Sequence, residues 1–229
     1  MEAASWRTSW ASVSAADRRL TPGDRIGYTR AVTPLGNDVS MRIKICGFTT
    51  EGGIDAAVAL GVDAIGLVLD PSPRRLSLDR AMALKERVPE GVDVVAVCGR
   101  PTERELSEIA RVLQPDVIQL MADAALPNAV GSGWLLAFED GPDLTDRVRR
   151  HAERSAETEP VVLVDGPAPG SGITADWSRV NAIGVPHRLI IAGGLTPDNV
   201  GKAVQQLRPY GVDVCSGVER SVGVKDPDK

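Results

Sequence analysis

Cys46, Asp165, Arg74 and two glycine turns are the parts of this chain best suited to chemistry. Cys46 ends the run RIKIC (42–46), in which Ile43 and Ile45 alternate with Arg42 and Lys44 as in a short strand. Gly47 lets the chain turn, and Thr49 or Thr50 can cap a helix starting near Glu51. A thiol at the C-terminal end of such a strand stands where parallel α/β proteins place catalytic groups. As a thiolate it is a base or a nucleophile. Taken alone, Cys46 reads first as core packing, because free cysteines are among the most buried residues. Asp165 closes the apolar run VVLVD. It is a general acid if burial keeps it protonated, or else an ordinary strand-end aspartate. The GPAPGSG after it has the composition of an active-site loop.

Gly193 and Gly194 in AGGLTP, and Ser216 with Gly217 one unit later, suit an anion. Glycine lets backbone N–H groups come close to a phosphate, and a helix N-terminus after the first turn adds a favourable dipole. The plain alternative for Gly193–Gly194 is a tight turn. Arg74 in PSPRRLS can clamp a carboxylate through two parallel hydrogen bonds, whereas Arg75 reads as a solvated arginine. Gln119 lies in the run DVIQLM and can face a ligand. His187 falls at the wrong end of its strand for catalysis, and His151 in RVRRHAER reads as part of a solvated helix face.

Eight strand-like runs must position these groups: 42–46, 63–69, 92–98, 116–121, 134–138, 161–165, 188–193 and 212–217. Several are apolar throughout, as expected of parallel strands covered on both faces. Helix-like segments alternate with them: GIDAAVALG, LDRAMALKERV, TERELSEIARVL, DLTDRVRRHAERS and TPDNVGKAVQQLR. Thr102 with Glu105 makes a capping box, and Thr196 followed by Pro197 reads as an N-cap and first helical residue. A further helix is weakly indicated at 123–131. This alternation implies one (β/α)8 TIM barrel over residues 41–229, with an open doubly wound sheet as second choice. Only ERSVGVKDPDK follows the eighth run, so the closing helix of a full barrel is missing from that position. Residues 1–40 carry no sustained period and read as a disordered extension, or as sequence upstream of a true start at Met41; alternatively they cover the gap left by that helix.

The chain has 229 residues, a net charge of −5 and a pI near 5.2, which argues against nucleic acid as a partner but not against a small phosphorylated ligand. No apolar run approaches a membrane span. The three cysteines lie far apart, which suggests neither a disulfide framework nor a zinc site and fits the cytoplasm. Two histidines make a histidine-based metal site unexpected.

KICGFT, SPRRLS, VDGPAPGSGITADW, IAGGLTPDNV and RPYGVDVCSGVERSVGVKDP together resemble phosphoribosylanthranilate isomerase, from Met41 to Lys229. The resemblance implies a cofactor-free, metal-free barrel of tryptophan biosynthesis, monomeric or homodimeric. Its reaction is an Amadori rearrangement of N-(5-phosphoribosyl)anthranilate to 1-(2-carboxyphenylamino)-1-deoxyribulose 5-phosphate. It implies Cys46 as general base, Asp165 as general acid and Arg74 on the anthranilate carboxylate. Gly193, Gly194, Ser216 and Gly217 would hold the phosphate. A positive neighbour such as Lys44, or the imine intermediate, would stabilise the thiolate. The chain departs from the family pattern in three places: QLMADA replaces QLHG, Ile173 replaces a loop lysine, and LLAFED lacks a strand-five lysine.

Two other functions compete. One is another phosphosugar barrel enzyme, such as a pentose-phosphate epimerase or indoleglycerol-phosphate synthase. The epimerase needs metal-binding histidines, and the synthase a lysine on an early strand, where Lys44 is expected to point away from the site. The other is a non-catalytic barrel that keeps the phosphate pocket.

Overall fold

The computed structural model describes residues 41–124, 133–154, 161–168, 170–184 and 188–229. The eight strands are β1 (Arg42–Cys46), β2 (Ala64–Val68), β3 (Asp93–Gly99), β4 (Val117–Met121), β5 (Gly133–Glu139), β6 (Val161–Asp165), β7 (Arg188–Ile191) and β8 (Gly211–Val214). Each pairs in parallel with the next, and β8 pairs with β1 to close the barrel. An open sheet is thereby excluded.

Side chains alternate across each strand, so β2 to β7 each feed two cores. Ala64, Val95, Val117, Leu135, Leu163 and Ile190 point inward and fill the barrel. Their neighbours Ile65, Val94, Ile118, Leu136, Val162 and Ile191 point outward and pack beneath the helices. This double burial is why the strands read as continuous apolar runs. Full burial of each such side chain contributes about 1.5–3 kcal/mol.

The helices are α1 (Glu51–Ala59), α2 (Leu78–Lys85), α3 (Glu103–Val112), α4 (Leu144–Arg154), α5 (Trp177–Asn181) and α6 (Val200–Leu207). Thr50 and Ser77 each accept from the backbone N–H three residues on, and Thr102 with Glu105 forms the expected capping box. Such caps contribute about 1 kcal/mol each. The start of α6 differs from expectation. Thr196 does not cap it; the helix opens at Val200 after a turn in which the Asn199 side chain bridges Thr196 N and Gly194 O. The short α5 is an addition, capped by Asp176 on two N–H groups. The helix expected at 123–131 falls largely outside the described residues, as do His187 and residues 1–40. His151 is half-buried, its ring tilted against Phe138 at 5.7 Å, not part of a solvated face.

Among the described residues no α-helix follows β8. The chain makes a 3-10 turn at Ser216–Val218 and then an antiparallel hairpin, β9 (Glu219–Ser221) with β10 (Val224–Lys225). This hairpin returns to the mouth of the barrel: Thr49, after β1, donates to Gly223 O at 2.6 Å.

Candidate active site

The C-terminal ends of the strands gather the expected residues on one rim. β1 delivers Cys46, buried to 8% exposure, and Lys44 two residues deeper. Lys44 shares the inward face, contrary to expectation. The residue is 2% exposed, and its ammonium lies 2.6 Å from Asp213 Oδ2 of β8. It is therefore held in a buried ion pair rather than turned away from the site. Gly66 on β2 makes room for the thiol, since a Cβ there would lie 2.8 Å from Cys46 Sγ.

Cys46 is not alone. Ile45 of β1 stands opposite Val214 of β8, so the next residues of the two strands, Cys46 and Cys215, are neighbours. The Cys215 thiol beside it, followed by burial, raises the Cys46 pKa well above the usual thiol value. Lys44 opposes the rise without reversing it. The local sequence gives no hint of Cys215; only closure of the barrel, which sets β8 against β1, could have pointed to it.

Arg74 is buried, and its clamp is already engaged. Nε and Nη2 donate to Glu219 of β9 at 2.8 and 2.7 Å. Lys225 Nζ donates to the same carboxylate at 2.9 Å and to Cys215 O at 2.9 Å. Burial pushes Glu219 toward its neutral form, but Arg74 and Lys225 more than offset this and leave its pKa lowered. Glu219 thus fixes the orientation of the Arg74 guanidinium through Nε and Nη2, leaving Nη1 outside this clamp. Arg75 is exposed, as expected.

On the opposite side, Asp165 ends β6. Burial, reinforced by Asp213, raises its pKa to about 6, although the Gly166 N–H donates to Oδ1 at 2.7 Å. Gln119 of β4 faces inward, 8% exposed, and its Oε1 is buried without a hydrogen-bond partner. Met121 shares that face and packs against the inner core. Ile173 is 54% exposed in the loop after β6. Asp140, just after β5, anchors the end of that loop by accepting from Asp176 N and Arg179.

The glycine turns adjoin Asp165. Gly193 and Gly194 both have left-handed backbones, with φ of +79° and +59°. A Cβ on Gly194 would lie 2.5 Å from Gly172 O, and one on Gly217 would collide with Leu195 O. The loop after β6 and the turns after β7 and β8 therefore pack backbone against backbone, which only glycine permits. Among the described residues, the Gly193 and Gly194 N–H groups make no turn or loop hydrogen bond. They are available to an anion. The rim thus combines a buried carboxyl group, two thiols, a fixed guanidinium and two glycine turns. Among the described residues no cluster of His, Cys, Asp and Glu could hold a metal ion, and no helix is long and apolar enough to cross a membrane.

Residues 43–229 match the family profile described as N-(5'phosphoribosyl)anthranilate (PRA) isomerase. A relative from Chromohalobacter salexigens named N-(5'-phosphoribosyl)anthranilate isomerase is 41% identical over 196 residues, covering 81% of this chain and 89% of its own. The crystal structure of phosphoribosyl anthranilate isomerase from Thermus thermophilus superposes with a TM-score of 0.69 at 32% identity, covering 82% of this chain and 94% of that one. A phosphoribosyl anthranilate isomerase in complex with reduced 1-(o-carboxyphenylamino)-1-deoxyribulose 5-phosphate gives the same TM-score and coverage at 28% identity.

Proposed function

The chain belongs to the N-(5'-phosphoribosyl)anthranilate isomerase family, and we propose that Asp165 and Cys46 are the acid and base with which it performs that family's reaction. The substrate is N-(5'-phosphoribosyl)anthranilate and the product 1-(2-carboxyphenylamino)-1-deoxyribulose 5-phosphate. The single observation that carries this reading is the contrast between two inward-facing strand ends. Asp165 is a carboxyl group held near pKa 6, close to the working range of a general acid, and across the mouth Cys46 lies beside a second thiol.

In this mechanism the phosphate rests on the N–H groups of Gly193, Gly194 and the Ser216–Gly217 turn. Arg74, oriented by Glu219, receives the anthranilate carboxylate, and Gln119 offers its unpartnered amide oxygen to a substrate hydroxyl. Asp165 gives its proton to the ribose ring oxygen as the ring opens to a protonated imine. That imine withdraws electrons from C2′ and acidifies its proton, which Cys46 Sγ removes once it has given up its own. The enamine then collapses to the ketone. The working unit is residues 41–229, and the thiols of the site call for a reducing compartment.

Loss of anthranilate fluorescence on adding freshly prepared phosphoribosylanthranilate tests the assignment. Cys46→Ser and Asp165→Asn should each lower kcat by about 10²–10⁴ while the proteins stay folded, the usual contribution of a general acid or base. Either variant within a few-fold of the parent turnover would remove that residue from the mechanism.

A further inference from the structure

Cys46 and Cys215 occupy adjacent positions on the β1–β8 seam, but their surroundings differ. Arg74 Cδ packs over Gly47, and a Cβ on Gly47 would lie 3.0 Å from Cys215 Sγ. Lys225 Nζ lies 3.9 Å from Cys215 Sγ. Two cations therefore flank Cys215, with Glu219 between them as their shared counter-ion. Cys46 has only Lys44 on its own strand, and that ammonium is committed to Asp213 at 2.6 Å. Asp213 opposes negative charge on either sulfur. Charge on the pair is therefore best accommodated on Cys215, with Cys46 as its protonated neighbour. Consistently, the Cys215 pKa is lowered to about 7, first by the Cys46 thiol beside it and then, against burial, by Lys225 and Arg74.

We propose that the base is a thiol pair in which Cys215 carries the resting negative charge and acts as the positioning residue through which Cys46 works. In the proton-abstraction step, Cys46 Sγ passes its own proton to Cys215 Sγ and takes the C2′ proton of the imine. The C2′–H electron pair becomes the C1′–C2′ double bond, and the C=N π pair returns to nitrogen. One proton enters the pair and one charge is neutralised, with no oxidant or reductant. The identity of the proton removed rests on the isomerase reading; the location of the charge does not.

Two measurements under reducing conditions test this. The first follows thiolate ultraviolet absorbance against pH and needs no activity. The parent should ionise one thiol per chain near pH 7, Cys46→Ser should keep that step because serine can still donate to Cys215, and Cys215→Ser should lose it. Loss of the step in Cys46→Ser and its retention in Cys215→Ser would overturn the proposal. The second is the pH profile of kcat/KM. Because the acid, near 6, lies below the base, near 7, the basic limb reports the thiol; in Cys215→Ser and Cys215→Ala it should move from near 7 to above about 8.5, the value of an unassisted thiol, while the acidic limb stays near 6. Activity at neutral pH should fall at least about tenfold, and the loss relative to the parent should vanish above the new limb. An unmoved limb, or an equal loss at every pH, would show that Cys215 only packs. If no variant or parent turns over substrate but the absorbance steps fall as expected, the isomerase reading fails and the thiol pair stands.

Discussion

The two halves of the mouth are built on opposite principles. At the β1–β8 seam, Lys44–Asp213, Arg74–Glu219 and Lys225–Glu219 set formal charges in direct contact, all nearly dry. At β6–β7, Asp165 has one hydrogen bond from its neighbour's N–H, and the Gly193 turn packs close against it: a Cβ on Gly193 would lie 2.8 Å from Asp165 Oδ1. A group that must hold negative charge is surrounded by cations. A group that must hold a proton is kept from them, apart from a weak pull from Lys44, and set beside another carboxylate. The same barrel rim thus tunes a thiol and a carboxyl in opposite directions, as acid and base chemistry at one pH requires.

That comparison breaks most readily at the seam. Lys44→Met strips the partner from buried Asp213 and should cost about 3–5 kcal/mol in chemical denaturation, the usual penalty for orphaning a buried charge. Adding Asp213→Leu should recover most of it, because a dry apolar pair replaces a dry ion pair at little net cost. No recovery would mean that the pair is coupled to more of the site than its own contact.

On the acid side the expected sign is reversed. The Asp165 pKa is raised from 3.8 to about 6, so the folded chain binds the proton more tightly than the unfolded chain. Its contribution to stability is present below the unfolded value and is lost as pH rises through about 4 to 6. Asp165→Asn keeps an acceptor for Gly166 N–H and removes the buried charge. It should therefore match the parent near pH 4 and exceed it by about 1–3 kcal/mol at pH 8, while losing activity. A variant less stable than the parent at pH 8 would show that the carboxylate is solvated or paired.

The smallest effect concerns the cradle. Gly194→Ala places a Cβ 2.5 Å from Gly172 O in a left-handed backbone. It should raise KM about tenfold with little change in kcat, corresponding to about one lost hydrogen bond to a charged group. An unchanged KM would put the phosphate elsewhere.

Much of the frame was legible in the chain. RIKIC and VVLVD are strands with the boundaries read from sequence, the first because its isoleucines alternate with charged residues and the second because burial on both faces leaves an apolar run. The turns at Gly193 and Gly217 were legible because glycine marks close backbone approach. The pairs Lys44–Asp213 and Arg74–Glu219 were not, because 169 and 145 residues separate their members and no local pattern encodes a contact across a closing seam. The β9–β10 hairpin escaped for another reason: ERSVGVKDP lacks apolar alternation, and its two short strands hold through Glu219 and Lys225 rather than a buried face. The start of α6 was misread because Thr196–Pro197 satisfies the cap pattern, while the Asn199 side chain closes a turn on Thr196 N–H and Gly194 O and the helix begins only after it.

The seam also has a history in the making of each molecule. β1 leaves the ribosome with Lys44 and Cys46 in place, but their partners on β8 follow 169 residues later. At common elongation rates that is roughly 8–35 s of synthesis. Throughout that interval the first strand has an unanswered ammonium and a thiol with no second sulfur beside it. The cavity can gather its glycines and its aspartate beforehand, but the paired thiols come into being only when the last strand docks, so a chain stalled midway holds reactive parts and no working catalyst.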